Sequence, residues 1–232
     1  MTTEQSLGEA PEQDGSLPGS LAAQSAFTRA GQYSLDAVDA HLHNVLPALE
    51  SLGMQSARLA AWGAELARRL MLGHRLLAAG NGGSAAEAQH LTAELVGKFD
   101  AERAPFSAIS LHAETSTVTA VANDYGFEEL FARQVRAHAR PGDVLMLLST
   151  SGKSPNLLRA AACAARLSVT TWALTGPLPN PLALNCDESV AIDGPAANVQ
   201  ECHLIALHAV CQAFDAEILR WDGGGQLHGV TS

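Results

Sequence analysis

The sequence predicts an α/β fold: a three-layer sandwich with a five-stranded, doubly wound parallel sheet, preceded by N-terminal helices. Two observations support this class. Short, continuously apolar segments alternate with longer segments of helical periodicity through the second half of the chain and part of the first. Gly- and Ser-rich loops follow two of the apolar segments and lead into helices. Strands that alternate with helices pair in parallel and are covered on both faces.

Two helical patterns come first. Apolar residues recur at three- and four-residue spacing between Leu35 and Leu49, and a second stripe runs from Leu59 to Leu70. Residues 1–33 are rich in Gly, Ser, Pro, Gln and acidic residues and show no such periodicity. We therefore expect a disordered or loosely ordered tail before the first helix.

Five apolar segments are the predicted strands: Leu76–Ala79, Phe106–Leu111, Val144–Leu148, Val169–Leu174 and Glu188–Ile192. Helices are predicted around them at four places: 84–96, 128–138, 155–167 and 199–221. The last segment, 222–232, contains three consecutive glycines and is predicted to be flexible. The pattern therefore places one domain at 34–221.

Composition excludes several classes of protein. The 232 residues are 47% hydrophobic and 16% charged, which is ordinary for a globular protein and unlike a disordered or fibrous chain. A net charge of −10 argues against binding to nucleic acid. The sequence shows neither a signal-peptide pattern nor an apolar run of the roughly 18 residues that a membrane span requires. Four cysteines without a CxxC pair indicate reduced thiols, so we expect a cytoplasmic protein that uses no membrane.

The first Gly-rich loop contains Asn81, Gly82 and Gly83, directly after a predicted strand. Ligands of open parallel sheets bind at the carboxyl ends of the strands, and glycines let the backbone approach a ligand closely. The helix that follows offers free N–H groups to an anion. An ordinary tight turn explains the same residues equally well.

The second loop carries four hydroxyl side chains just before a helix: Ser149, Thr150, Ser151 and Ser154. Ser154 is a favourable N-cap and Pro155 a favourable first helical residue. Hydroxyls together with helix N–H groups form a phosphate cradle, although a simply well-capped helix fits equally. The segment Gly152-Lys153-Ser154 does not complete a P-loop, since Leu147 stands where that motif requires glycine.

Polar residues on two predicted helices have spacings that bear on whether they can bind one metal ion or act as an acid–base pair. His90 and Glu94 lie four apart on one helix face, which suits two metal ligands, an acid–base pair or a plain surface pair. Gln200 and His208 lie eight apart, about 12 Å along an ideal helix, so they share an ion only if the helix begins at Gln200. His203 is expected to be structural or to face solvent.

Four segments, in order, resemble the phosphoheptose isomerase family of the sugar-isomerase (SIS) fold. They are GNGGSAAEAQHLTAELVGKF, TAVANDYGFEELFARQV, RPGDVLMLLSTSGKSPNLLRA and VQECHLIALH. The resemblance extends from Leu35 to Trp221, and the conserved order of four strings makes it specific. It implies a flavodoxin-like arrangement of the sheet.

The resemblance implies roles for individual residues. Substrate would be bound by Asn81, Gly82, Gly83, Glu94, Asn123, Asp124, Ser149, Thr150, Ser151, Ser154 and Gln200. One zinc ion per subunit would be bound by His90, Glu94, Gln200 and His208. Glu94 and His208 would be the catalytic acid–base pair. The family also implies a homotetramer with sites between subunits.

The implied activity is the conversion of sedoheptulose 7-phosphate to D-glycero-D-manno-heptose 7-phosphate, the first step of nucleotide-activated heptose biosynthesis. One alternative is a non-catalytic SIS protein that binds the replication initiator; that branch lacks the equivalent of Glu94. Another alternative is a sugar-phosphate sensor or a different phosphosugar isomerase. Glu87 and Lys153 depart from the family pattern, where Asp and Asn are usual.

Overall fold

A computed structural model describes the backbone of residues 20–100 and 102–223, and the side chains of residues 31–221 apart from residue 101. The chain separates into two compact units, Met1–His41 and Leu42–Ser232. Of the first unit the structure describes one helical stretch, residues 20–41. The second unit contains the sheet and every candidate site residue.

The first helix, α1, extends from Ser20 to Gly53. Residues 20–33 of the expected tail are therefore helical, because their Ala, Gln and Leu content favours a helix even without an apolar stripe. Residues 1–19 and 224–232 lie outside the described part of the chain. In the second unit the α1 side chains of Leu42, Leu46 and Leu49 are exposed, so the predicted stripe does not pack into the core there.

The remaining helices and strands have these bounds: α2 Ser56–Met71, β1 Leu76–Gly80, α3 Gly83–Val96, β2 Ala108–Ser110, α4 Thr115–Tyr125, α5 Leu130–His138, β3 Val144–Ser149, α6 Pro155–Ala165, β4 Thr170–Thr175, α7 Pro181–Asn185, β5 Glu188–Ala191 and α8 Ala196–Gly223. A 3-10 turn, Phe127–Glu129, joins α4 to α5.

The sheet has five strands in the order β2-β1-β3-β4-β5, and every neighbouring pair is parallel. The predicted class, strand number and parallel pairing are confirmed. This order reverses direction between β1 and β3, which is where ligands bind in open α/β sheets. The loops after β1 and β3 therefore lie side by side at the carboxyl edge.

Two apolar layers cover the faces of the sheet. Alternate residues of β1 enter different layers: Leu76 and Ala78 join one, and Leu77 and Ala79 the other. The first layer contains the buried faces of α2, α3 and α8, and the second those of α5 and α6. In the first layer the rings of Trp62 and Trp172 stack with centroids 4.9 Å apart.

The second strand is shorter than predicted. Sequence patterning suggested Phe106–Leu111, but only Ala108–Ser110 pairs as β2. The backbone N–H of Phe106 donates instead to the carbonyl of Leu95 at the end of α3, at 3.1 Å. The chain entering this edge strand is thus held by a helix end at Phe106 and by β1 at Ser107, whose carbonyl accepts from the N–H of Leu76 at 3.0 Å.

Two helices were not predicted. The α4 segment is rich in Thr, Ser and Val, which have low helix propensity. It is capped by Glu114, whose carboxylate accepts from the N–H groups of Ser116 and Thr117 at 3.1 and 2.6 Å. The short α7 is capped in the same way by Asn180, which accepts from the N–H of Ala183 at 2.9 Å.

Helix α8 begins at Ala196, three residues earlier than predicted. Its segment 196–221 is long and apolar enough to cross a membrane, but half of the most apolar window is buried inside the protein. Its apolar character is therefore explained by packing against the core. The four cysteines are free thiols; Cys163, Cys202 and Cys211 are buried and Cys186 is half-buried.

Candidate functional site

Three side chains with metal-binding atoms meet between α3 and α8. His90 and Glu94 project from one face of α3, and His208 projects from α8. The His90 Nε2 lies 2.9 Å from the His208 Nε2 and 3.2 Å from the Glu94 Oε1. The three candidate ligand atoms all lie within 4.8 Å of one another. The fold thus joins a pair visible in the sequence to a residue more than a hundred positions away.

The cluster is partly open. The side chain of His90 is 41% exposed and that of Glu94 is 19% exposed. The imidazole of His208 lies between two rings, with its centroid 5.1 Å from that of His90 and 5.4 Å from that of Phe99. The site is therefore accessible to a ligand while His208 is held by its neighbours.

A cavity of about 570 Å³ adjoins the cluster. Its walls come from α3 and α8 and include Gly83, Glu87, His90, Gln200 and His208. That volume is within the range of small-molecule sites. Residues from both helices that carry the cluster therefore also enclose the space beside it.

Gln200 lies against the glycine loop. A Cβ at Gly83 would collide with the Gln200 amide, so a larger residue there would displace the end of this side chain. A shared ion would require α8 to begin at Gln200. The helix begins at Ala196 instead, so this condition is not met. Gln200 instead sits inside the helix, about 12 Å along an ideal axis from His208, and lines the same cavity.

Glu87 and His203 face each other across the same two helices. Both are buried, and the Glu87 Oε2 lies 4.0 Å from the His203 Nδ1. Among the described residues, neither this oxygen nor either ring nitrogen of His203 has a hydrogen-bond partner. Of the two expectations for His203, facing solvent is therefore wrong, and the structural alternative remains.

Burial controls the charge of both groups. Desolvation raises the pKa of Glu87 to about 7 and lowers the pKa of His203 to about 4. Each shift favours the uncharged form, because ionisation in an apolar environment is costly. The pair is therefore predominantly neutral just below neutral pH.

The two polar loops are joined by an amide pair. Asn81 and Asn156 exchange two hydrogen bonds, at 3.0 and 2.8 Å between Nδ2 and Oδ1 atoms. Asn156 is buried, and its Oδ1 also accepts from the N–H of Leu157 at 2.9 Å. Sequence reasoning missed Asn156, although an Asn in the first turn of a helix after a Ser-Pro cap was a usable signal. This Asn81–Asn156 bridge crosses the point between β1 and β3 where the strand order reverses direction.

The loop after β3 is folded upon its own hydroxyls. The N–H of Gly152 donates to Ser149 Oγ at 3.1 Å, and the N–H of Lys153 donates to Ser151 Oγ at 3.3 Å. Gly152 has φ +61°, and a Cβ there would collide with Asn180, so glycine is required.

Ser154 occupies the N-cap of α6 and Pro155 its first turn, as predicted. The Ser154 hydroxyl makes no capping bond and lies 3.5 Å from Ser149 Oγ. The helix N-terminus and this hydroxyl therefore face the loop together, in the arrangement that suits an anion.

Asn123 and Asp124 lie near the end of α4 and are exposed. The Asn123 Nδ2 donates to the Asp124 Oδ1 at 2.8 Å. Within residues 31–221, the hydrogen bonds found for this pair do not reach the other predicted site residues. Among residues 31–221, hydrogen bonds thus join the two loops to each other, but none joins Asn123 or Asp124 to them.

Comparison with known proteins gives a consistent result. The SIS domain family matches residues 40–176. The phosphoheptose isomerase of Streptomyces coelicolor is 60% identical over 172 residues, which are 74% of each chain. The phosphoheptose isomerase of Thiobacillus denitrificans is 43% identical over 197 residues, covering 83% of this chain and 93% of that one.

Solved structures agree. Phosphoheptose isomerase GmhA from Neisseria gonorrhoeae superposes with a TM-score of 0.71 at 36% identity, covering 78% of this chain and 98% of that chain. A phosphoheptose isomerase from Francisella tularensis gives 0.73 at 34% identity, covering 79% and 98%. The Vibrio vulnificus NanR protein complexed with ManNAc-6P, at 0.54 and 20% identity, shares the fold alone.

Proposed function

This chain belongs to the phosphoheptose isomerase family of SIS-domain proteins, and from that membership we propose that Glu94 and His208 carry its proton transfers. The protein is an aldose–ketose isomerase that converts sedoheptulose 7-phosphate to D-glycero-D-manno-heptose 7-phosphate, in heptose biosynthesis. The observation that carries our assignment of residues is the His90–Glu94–His208 cluster beside a cavity of about 570 Å³.

The reaction moves one proton between C1 and C2 and another between the neighbouring oxygens. It therefore needs a base that reaches both carbons and a group that handles the hydroxyl proton. Glu94 is the carboxylate of the cluster, and we assign it the carbon-bound proton. His208 faces it from the opposite helix, and we assign it the hydroxyl proton. The presence of Glu94 also favours an enzyme over the non-catalytic branch of the fold.

The cluster residues fit a zinc ion. Tetrahedral zinc with bonds of about 2.1 Å separates its ligand atoms by about 3.4 Å. The observed separations of 2.9 and 3.2 Å are close to that spacing. We propose that His90, Glu94 and His208 hold one zinc per subunit, and that Gln200, which lines the same cavity, faces the substrate. When bound, the ion would polarise the substrate carbonyl.

This assignment gives Glu94 two tasks. A carboxylate that binds metal is a weaker base, since the metal stabilises its ionised form. One carboxylate oxygen would therefore hold the metal while the other accepts the proton. If Glu94 cannot serve both, the metal is chiefly structural and the proton transfers rest on the side chains alone.

The metal assignment is tested by analysis of protein prepared without chelator. We expect stoichiometric zinc in the wild type and a large loss in His90→Ala. His112→Ala removes another partly buried histidine, one outside the cluster, and serves as the control. Wild-type protein that is active without stoichiometric zinc would remove the metal from the mechanism.

The substrate phosphate is assigned to the loop after β3. Ser149, Thr150, Ser151 and Ser154 supply hydroxyls, and the N-terminus of α6 supplies backbone N–H groups. Lys153 is exposed beside them and adds a positive charge. Asn81, Gly82 and Gly83 would line the sugar, and the Asn81–Asn156 bridge would hold that loop against the phosphate loop.

We further propose a cytoplasmic homotetramer whose sites draw on more than one chain. The exposure of Leu42, Leu46 and Leu49 on α1 supports an assembly. In a tetramer Asn123 and Asp124, which are exposed and hydrogen-bonded to each other, would complete the site of a neighbouring subunit. Sedimentation equilibrium tests the subunit number, and a monomeric active enzyme would contradict the assembly.

The activity is tested by incubating pure protein with sedoheptulose 7-phosphate and following aldose formation by NMR. We expect aldose formation by metal-replete protein, a loss with chelator, and recovery when zinc is restored. Fructose 6-phosphate, a shorter ketose phosphate, is the specificity control. Metal-replete protein that forms no aldose from the heptulose would overturn our assignments of the site.

A further inference from the structure

A buried ion pair lies at the far end of the seam between α3 and α8. The Arg103 Nε donates to the Asp215 Oδ1 at 2.7 Å, and the two side chains are only 2% and 4% exposed. The guanidinium carbon lies 5.5 Å from the Phe106 ring centroid and 5.2 Å from that of Phe214. Aromatic rings thus flank the charge and keep water away from it.

The same guanidinium binds the end of α3. The Arg103 Nη2 donates to the backbone carbonyl of Glu94 at 2.7 Å, and the Nη1 donates to that of Leu95 at 3.1 Å. Carbonyls in the last turn of a helix have no partner within the helix, and a cation there is favourable. Arg103 therefore caps the turn of α3 that carries the Glu94 side chain.

Asp215 connects this cap to the opposite helix. It lies on α8 seven residues after His208, which is about two turns along the same face. The chain of contacts runs from Glu94 through Arg103 to the helix that carries His208. A single side chain thus links the backbone of one proposed catalytic residue to the helix of the other.

We propose that Arg103 and Asp215 are positioning residues for the isomerase centre. They set the register of α3 against α8, and thereby the distance between Glu94 and His208. This inference rests on the proposed function of those two residues. Neither Arg103 nor Asp215 touches substrate in this scheme; both act through the backbone they hold.

A double substitution separates position from stability. Packed apolar residues commonly replace a buried ion pair without loss of stability, whereas removal of one partner leaves an unpaired buried charge. In Arg103→Met/Asp215→Leu we expect a thermal midpoint close to that of wild type. We expect kcat to fall by about tenfold to a hundredfold with KM within a few-fold, since small misplacements of catalytic groups have effects of that size.

A structural readout accompanies the kinetics. The imidazole nitrogen signals of His90 and His208 should shift in ¹H–¹⁵N spectra of the double variant, because the separation of the rings changes. The matched control is Glu217→Leu/Arg220→Met, which removes an exposed ion pair from the same helix. It should leave kcat and both imidazole signals unchanged. A folded Arg103→Met/Asp215→Leu protein with wild-type kcat and signals would overturn the proposal.

A second variant covers the case in which the double variant does not fold. Arg103→Lys keeps the charge opposite Asp215 but cannot span both carbonyls and the carboxylate, since lysine lacks the planar fork. We expect it to fold and to lose kcat, and wild-type kcat in this variant overturns the proposal. Failure of the proposed function has a different signature: the wild type forms no aldose, while the imidazole signals still respond to the substitutions.

Discussion

The two ends of the α3–α8 seam are built in opposite ways. At one end Arg103 and Asp215 form an ion pair with a separation of 2.7 Å, and Arg103 also donates to the backbone carbonyl of Glu94 at the end of α3. At the other end burial favours the uncharged forms of Glu87 and His203, which lie 4.0 Å apart and are not hydrogen-bonded to each other. The first end lies away from the cavity, whereas Glu87 is part of the cavity wall.

The contrast bears on how the His90–Glu94–His208 cluster is held. His90 and Glu94 lie between Glu87 and the capped end of α3, and His208 lies between His203 and Asp215 along α8. The cluster therefore stands between a fixed end, held by the Arg103–Asp215 ion pair, and a neutral end, where Glu87 and His203 are not hydrogen-bonded to each other. We infer that the geometry of the cluster is set at the Arg103 end.

The largest expected effect is at the fixed end. Arg103→Ala leaves Asp215 buried without its partner, so the free energy of unfolding should fall by about 3–5 kcal/mol. Arg220→Ala, which removes an ion pair from the surface of α8, should change it far less, because solvent screens the charges. Urea unfolding of both variants measures the difference. Equal losses in the two would show that the Arg103 end is no more tightly held than the surface.

The next effect is at the neutral end and depends on pH. The pKa of Glu87 is about 7 in the folded protein against an ordinary 4.5. Below the lower value both folded and unfolded chains hold the proton, and as pH rises only the unfolded chain releases it. This group therefore destabilises the fold progressively from pH 4.5 to 7, by up to about 3 kcal/mol.

Glu87→Gln removes that loss. Relative to wild type, the variant should gain stability as pH rises across this window and no further above it. His203, whose pKa of about 4 acts in the opposite direction, is present in both proteins. Glu102→Gln, on an exposed side chain, is the control. A difference between Glu87→Gln and wild type that does not change with pH would show that Glu87 is charged in the fold.

The third effect is in the cluster between the two ends. Glu94→Gln should lower turnover by at least about 100-fold, the scale of a lost general base. Its fold should be retained, because the Arg103 contact is to the Glu94 backbone and not to its side chain. NMR assay of the aldose together with thermal unfolding measures both. Turnover within a few-fold of wild type would remove Glu94 from the mechanism.

The smallest effect lies outside the seam. Thr150→Ala/Ser154→Ala should weaken phosphosugar binding by more than about tenfold, since a hydrogen bond to a charged group contributes about 1.5–3 kcal/mol. Ser116→Ala/Thr119→Ala, an exposed pair on α4, is the matched control. Calorimetric titration measures the affinity. Unchanged binding in the loop variant would move the phosphate site and make Lys153 the first candidate.

Much of the fold could be predicted because its signals are local. Continuous apolar strands such as β1 and β3 identify a parallel sheet, and glycines identify the loops at its carboxyl edge. The α4 helix could not be predicted in this way, since its Thr and Ser residues disfavour helix and the cap on Glu114 decides the outcome. Residues 20–33 were predicted to belong to a loosely ordered tail but are helical, because they have helix propensity without apolar periodicity.

The residues of the candidate site likewise divide into those with a local sequence signal and those without one. The spacing of His90 and Glu94 is local and could be read directly. His208 was identified as a site residue only through the family resemblance, because its contact with His90 depends on how two helices that are distant in sequence pack together. Arg103 and Asp215 are 112 positions apart, and no local pattern distinguishes them from surface charges. The buried state of Glu87 and His203 likewise follows from packing and not from sequence.

The scarcity of lysine has a practical consequence for chemical labelling. The only two lysine side chains, Lys98 and Lys153, are both exposed, and one of them stands in the loop before α6. Amine-directed reagents will therefore modify few side chains of the protein. A phosphosugar that fills the loop should protect Lys153 from acylation while Lys98 reacts as an internal reference. Peptide mass spectrometry would then report occupancy of the phosphate site directly, without following turnover.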